Sequence, residues 1–135
     1  MAKSNHKAAF DVRRTLTPAG AKIVVGPDGF QVKDQHDTVA DVRWNRVQAI
    51  FAYTRFIGGS GALCLAFVLP PGKGGEEDQV VVNENVEGWE RLHSHLTSAF
   101  PALDNDWVSK ATLDDAELAG FVPQFTANPV TVWSR

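Results

Sequence analysis

Residues 62–69 read ALCLAFVL, a stretch in which every side chain is apolar. Successive side chains of a strand point to opposite faces of a sheet, so Leu63, Leu65 and Phe67 share one face and Cys64 lies on the other. A strand that is apolar on both faces has to be covered on both. The sequence therefore predicts that residues 62–69 form a strand buried at the centre of the fold.

The segments around this run also have the composition of strands. Residues 22–33 hold two apolar runs separated by GPDG at positions 26–29, whose proline and glycine favour a tight turn. These residues predict a β-hairpin. Residues 38–44 alternate apolar and polar side chains, which predicts a half-buried strand. Further strands are predicted at residues 47–57, 79–83 and 130–133.

Beyond Asn83 the spacing of the apolar residues changes to about 3.6, the period of an amphipathic helix. This spacing predicts a helix over about residues 85–100, with Asn83 or Asn85 as its N-cap and Pro101 directly after its end. The apolar stripe consists of Val86, Trp89, Leu92, Leu96 and Phe100, and shorter helices are predicted at residues 104–110 and 113–119.

A run of strands followed by a helix is typical of an α+β domain with an antiparallel sheet. We expect a barrel or sandwich of about six to seven strands, capped by the helix, with a short helical and aromatic C-terminal extension. A chain of 135 residues suits one domain. We place it at residues 15–135, after a mobile arm at residues 1–14 that has no clear periodicity. The last strand pairs either within the chain or across a dimer.

Composition and charge exclude several classes of protein. The apolar fraction of 44% and the charged fraction of 21% are those of a globular protein rather than a disordered one. The single cysteine, Cys64, and the lack of a signal-peptide core near the first residues favour a cytoplasmic location. Residues 1–56 carry nine Lys/Arg against five Asp, and residues 57–135 carry four Lys/Arg against eleven acids. The acidic second half argues against nucleic-acid binding.

No signature of catalysis, metal binding or cofactor binding is found along the chain. The segment GGSGA at 58–62 approaches a nucleophile elbow, but a strand follows it instead of the required helix. His93 and His95 are two residues apart on a helix and point in opposite directions, so they cannot bind one metal ion together. Cys64 has apolar neighbours, which favours an inert core residue. We therefore predict no catalytic residue, no metal and no cofactor.

A family resemblance rests on VRWNRV at 42–47, FPALDN at 100–105, TANP at 126–129 and Trp133. This layout of a strand, hairpin strands and a capping helix resembles uncharacterised bacterial proteins with a pleckstrin-homology-like fold of the bacterial PH or GRAM type. The resemblance spans roughly residues 20–135. It implies two antiparallel sheets closed at one end by a helix, and it brings no catalytic residues with it.

Three classes of function follow from these observations. The first is a non-enzymatic protein-binding or adaptor domain that docks a protein partner or a second copy of itself through its sheet surface or residues 113–135. One variant is a toxin-neutralising, immunity-type protein whose acidic half meets a basic partner. The second class is binding of a small ligand or a lipid headgroup. The third is an enzyme, for which a cleft with Glu90, His93 and an aspartate would be the sign. The candidate contact residues are Lys22, Lys33, Arg43, Arg46, Trp107, Phe125 and Trp133.

Overall fold

The described part of the chain forms two β-sheets and a few short helices. The structure is a computed structural model, and it describes residues 13–18, 20–35, 37–57, 60–71, 78–112 and 127–135. A 3-10 helix, Trp44–Arg46, follows the fourth of its strands. In chain order the strands and α-helices are β1 (Arg13–Leu16), β2 (Lys22–Gly26), β3 (Gly29–Asp34), β4 (Asp37–Arg43), β5 (Ala49–Ile57), β6 (Ser60–Leu69), β7 (Asp78–Asn83), α1 (Trp89–Ala99), α2 (Trp107–Ala111) and β8 (Ala127–Ser134).

The strands make one five-stranded sheet, in the order β1-β7-β6-β5-β8, and one three-stranded sheet, in the order β2-β3-β4. The α+β class and the hairpin of β2 and β3 are confirmed. Among the described strands every pair is antiparallel except one, since β1 runs parallel to β7 with Arg13 opposite Asp78. The sequence did not predict β1. Arg13 and Arg14, which the sequence assigned to the N-terminal arm, belong to this strand.

The central strand β6 is buried on both faces, as its sequence predicts. Leu65 and Phe67 belong to the main core between the sheets and helices. Cys64 and Ala66 point the other way and pack in a second cluster with Tyr53. Every residue from 62 to 68 is buried, so β6 is covered on both sides.

Helix α1 is shorter than predicted because of Gly88. This residue has φ +95°, a left-handed conformation, and a Cβ there would collide with the carbonyl oxygen of Ile23. The helix therefore begins at Trp89, and the predicted caps are wrong: the Asn83 side chain accepts a bond from the Asn85 N–H in the preceding turn. Trp89, Leu92 and Leu96 of the predicted apolar stripe are buried on the helix, whereas Val86 is half-buried and precedes it. None of the helices within the described residues combines the length and the hydropathy that a membrane-spanning helix needs.

The last strand, β8, pairs with β5 of the same chain, where Ile50 lies opposite Trp133. This settles the pairing that the sequence left open. The hydroxyl of Thr54 on β5 donates a hydrogen bond to the carbonyl of Ala111, which fixes the end of α2 to the sheet. Trp44 begins the 3-10 helix rather than ending a strand. The helix predicted at residues 113–119 lies outside the described residues.

Candidate functional site

The three-stranded sheet has one face on the core and one towards solvent. Phe30, Val32 and Val42 are buried in the core. Since side chains alternate along a strand, their neighbours point outward. Val24 on β2 and Val39 on β4 are 42% and 38% exposed, and among the described residues they are the exposed large hydrophobic side chains. We call this solvent-facing side the outer face.

Polar and charged side chains surround the two valines on the outer face. Three rows of facing residues follow from the strand register. The sheet therefore presents small apolar areas within a charged surface, a composition suited to contact with another protein. The rows are Lys22–Lys33–Thr38, Val24–Gln31–Asp41 and Gly26–Gly29–Arg43.

Strand β4 is an open edge of this sheet. Within the part of the chain that the structure describes, β3 pairs with one side of β4 and no strand pairs with the other. Two other edges are partly covered. The N–H of Ile23 on β2 donates to the carbonyl of Glu87, and the carbonyl of Val132 on β8 accepts from the N–H of Asp104. An open edge offers unpaired backbone donors and acceptors to another strand.

The backbone direction of β4 can be read from one hydrogen bond. The Trp44 N–H donates to the Asp28 carbonyl, on the side of β3. Because the groups of an antiparallel strand alternate in direction, Val42 also bonds towards β3, whereas Asp41 and Arg43 direct their N–H and C=O groups to the open edge. A bulge at Val39 interrupts this regular pattern. The regular open edge is therefore short and ends at Arg43.

The four predicted basic residues fall into two separate pairs. Lys22 lies directly opposite Lys33, and Arg43 lies opposite Gly29. Lys33 and Gly29 are four residues apart on β3, which is about 13 Å along a strand. The four side chains therefore do not form one cluster.

Arg43 and Arg46 lie together at the other end of the sheet. They line a cleft of about 470 Å³ with Asp28, Trp44 and Asn45. The Arg43 guanidinium is also 3.6 Å from a carboxylate oxygen of Asp41, and both side chains are exposed. Exposed pairs of this kind contribute about 0–1 kcal/mol.

The predicted aromatic contact residues differ in exposure. Trp107 is 2% exposed, so its ring belongs to the core and offers no surface to a partner. The sequence could not show this, because the burial follows from the packing of α2 on β5 and β8. Trp133 is half-buried, with its ring 4.6 Å from that of Phe100 and under the Arg135 guanidinium. Phe125 lies outside the described residues.

A groove beside α1 is lined by Glu90 and His93, which together with an aspartate would indicate an enzyme. Glu90 and His93 line a cleft of about 330 Å³ together with Asn105 and Trp107, and no aspartate is among its lining residues. The His93 ring lies 5.2 Å from that of Trp107. Within the described ranges no group of three or more His, Cys, Asp or Glu is placed to hold a metal ion.

Cys64 is buried as the sequence predicts. Burial raises the pKa of its thiol to about 11, an effect that the nearby charge of Arg55 partly opposes. The thiol is therefore protonated at neutral pH, and a protonated thiol is a poor nucleophile.

No family model, curated protein or solved structure matches this chain. Among the described residues, the outer face with the open edge of β4 is the most distinctive surface. Sequence reasoning did not select Val24 or Val39. The signal was present for Val24, because alternation in the hairpin places it on the same face as Lys22 and away from Ile23.

Proposed function

We propose that this chain is a non-enzymatic protein-binding domain, and that it binds its partner through the outer face and the open edge of β4. The exposure of Val39 on β4, the strand whose outer backbone groups are unpaired in the described part of the chain, carries the proposal, and Val24 on β2 is a second exposed valine of the same sheet. Backbone hydrogen bonds to an added strand supply affinity, and side chains on the alternate positions supply specificity.

The charge around the valines supports the same proposal. Asp41 and Arg43 flank the open edge, and both side chains are exposed. A rim of this kind selects a partner by complementary charge and discourages non-specific pairing. The bulge at Val39 further limits the length over which another strand can pair with the edge.

Site-specific photo-crosslinking in the native cells tests this proposal. A photoreactive residue replaces Thr38, which is exposed on β4, and a matched control replaces Ser98, which is exposed on α1. We expect a defined protein adduct from position 38 and none from position 98. Adding Val39→Asp should remove the adduct, because a charged side chain disrupts the apolar contact. Equal adducts from both positions, or none from position 38, would overturn the proposal.

A second candidate function is binding of a small anionic ligand or a lipid headgroup. The cleft favours it, because two arginines and a tryptophan, Arg43, Arg46 and Trp44, line it beside Asp28 and Asn45. Flotation with vesicles of anionic lipid at low salt tests it, with neutral vesicles as the control. Binding that Arg46→Gln removes and Lys22→Gln preserves would support this function. Equal retention on neutral vesicles, or no binding at all, would refute it for lipids.

We propose the pleckstrin-homology-like fold as the finer structural assignment. Two largely antiparallel sheets and the contact of α1 with β2 support it. The parallel pairing of β1 is an addition to the expected layout, whereas β8 corresponds to the strand predicted at residues 130–133. An experimental structure that superposes on such domains strand for strand would support the assignment, and a different strand order would exclude it.

A further inference from the structure

We infer that the open edge of β4 binds a second copy of this chain, as an antiparallel strand pair about a two-fold axis at Val42. This inference rests on the proposed function and names its partner. A two-fold interface needs a surface that is complementary to itself. The sequence of β4 has this property around Val42, since the acidic Asp41 precedes Val42 and the basic Arg43 follows it.

The register follows from comparing the possible centres of the pair. About Val42, Asp41 of each copy faces Arg43 of the other, so both facing pairs are of opposite charge. About Asp41, two aspartates face each other, and like charges directly opposite are destabilising. About Ala40, Asp37 would face Arg43, but the ladder would have to cross the bulge at Val39. Val42 is therefore the centre that combines regular backbone with opposite charges.

Backbone direction agrees with this register. Asp41 and Arg43 direct their N–H and C=O groups to the open edge, as the bond from Trp44 to Asp28 indicates. Residues that face each other and both point at the partner strand form a hydrogen-bonded pair, in which two N–H···O bonds are exchanged. The two symmetric pairs give four backbone hydrogen bonds between the copies.

Charge on the outer face adds to these bonds. Within one copy, Asp41 and Arg43 already lie 3.6 Å apart at their closest charged atoms. Pairing brings the same two residues of the other copy onto the same face, so four charges of alternating sign are grouped around the axis. Cross-strand pairs of opposite charge stabilise the pairing of two strands.

The interface is small, and the dimer is accordingly weak. The regular edge spans few residues before the 3-10 helix begins at Trp44. Interfaces below about 1,200 Å² of total buried area are typical of transient complexes. We expect a dissociation constant of roughly 10 to 500 μM.

Sedimentation velocity of the purified full chain, up to about 1 mM protein, tests the inference across this affinity range. We expect a concentration-dependent dimer for the native sequence. Asp41→Arg alone and Arg43→Asp alone place like charges opposite each other, and each should weaken the dimer by at least about tenfold. Asp37→Arg is the matched control on the same strand and should leave the dimer unchanged.

Charge exchange makes the test specific to the register. An equimolar mixture of Asp41→Arg and Arg43→Asp chains restores opposite charges at both pairs, so heterodimers should form. The double variant Asp41→Arg/Arg43→Asp should dimerise by itself. Folding of each variant is checked by circular dichroism, and both positions are exposed.

The inference is overturned if the native chain stays monomeric, if Asp37→Arg weakens the dimer as much as Asp41→Arg does, or if the mixture does not associate. Such a result is distinguishable from failure of the proposed function. A monomeric chain that still gives a defined adduct with another protein from position 38 retains the protein-binding function and loses the self-association.

Discussion

The burial of Cys64 makes the stability of the fold depend on pH in alkaline solution. The side chain is 1% exposed, and its thiol donates a hydrogen bond to the Ala62 carbonyl, with Sγ 3.6 Å from the oxygen. Burial raises the pKa of the thiol from an ordinary value of 9.0 to about 11 in the folded chain. Between these two values the unfolded chain has lost the thiol proton and the folded chain has kept it. Folding is therefore penalised as the pH rises above 9.

The size of this penalty follows from proton linkage. The contribution of the thiol to the free energy of unfolding is fully present below pH 9.0 and is lost as the pH rises through about 11. At about pH 10 the free energy of unfolding should be lower by about 1 to 1.5 kcal/mol on account of this group alone. Other groups also titrate in this range, so the native chain has to be compared with a variant that lacks the thiol.

Urea unfolding followed by tryptophan fluorescence measures the effect, at about pH 7.5 and about pH 10 with a reducing agent present. The free energy of unfolding should decrease from about pH 7.5 to about pH 10 in both chains. Cys64→Ala removes the thiol, so its decrease should be smaller than that of the native chain by about 1 to 1.5 kcal/mol. Val81→Ala, in the same cluster, keeps the thiol and should retain the native pH dependence. Identical pH dependence in the native and Cys64→Ala chains would refute the burial of an un-ionised thiol.

Two further predictions concern the fold. Gly88→Ala should lower the free energy of unfolding by about 2 kcal/mol or more, because of its positive φ and the collision with the Ile23 carbonyl. Gly20 also has a positive φ, +83°, but nothing lies within 4 Å of an added Cβ, so Gly20→Ala should lower the free energy of unfolding by only about 1 kcal/mol. Equal losses for the two variants in urea titrations would contradict the collision at Gly88. Trp107 is buried, so Trp107→Ala should lower the free energy of unfolding by about 3–5 kcal/mol. Trp133 is half-buried, so Trp133→Ala should lower it clearly less. A larger loss for Trp133→Ala would contradict the placement of Trp107 in the core.

Elements with strong local signals were predictable from the sequence. The apolar run at residues 62–69 indicated burial on both faces, and GPDG at 26–29 indicated the hairpin. Both signals act between residues that are near in sequence. The apolar stripe of α1 was equally clear, but its start was not, since Gly88 takes its conformation from a close approach to Ile23 on β2.

Elements that depend on distant contacts were not predictable. β1 has no alternating pattern, and it becomes a strand by pairing with β7. Trp107 is buried because α2 packs on β5 and β8, and no local pattern reports that contact. The candidate site was found in part. The exposure of Arg43 followed from the alternation of apolar and polar residues along β4. The open edge of β4 could not be predicted, because it depends on which strands lie beside β4 in the sheet.

The order of strands in the five-stranded sheet has a consequence for how the chain folds. Its middle strands, β5, β6 and β7, follow one another along residues 49–83, while its edge strands come from residues 13–16 and 127–134. Closing a long loop costs entropy before its contacts form, so distant pairings are slow. We expect the middle strands to assemble first and β1 and β8 to join later. Until they join, both sides of the apolar middle are open edges, and aggregation competes with folding at that step.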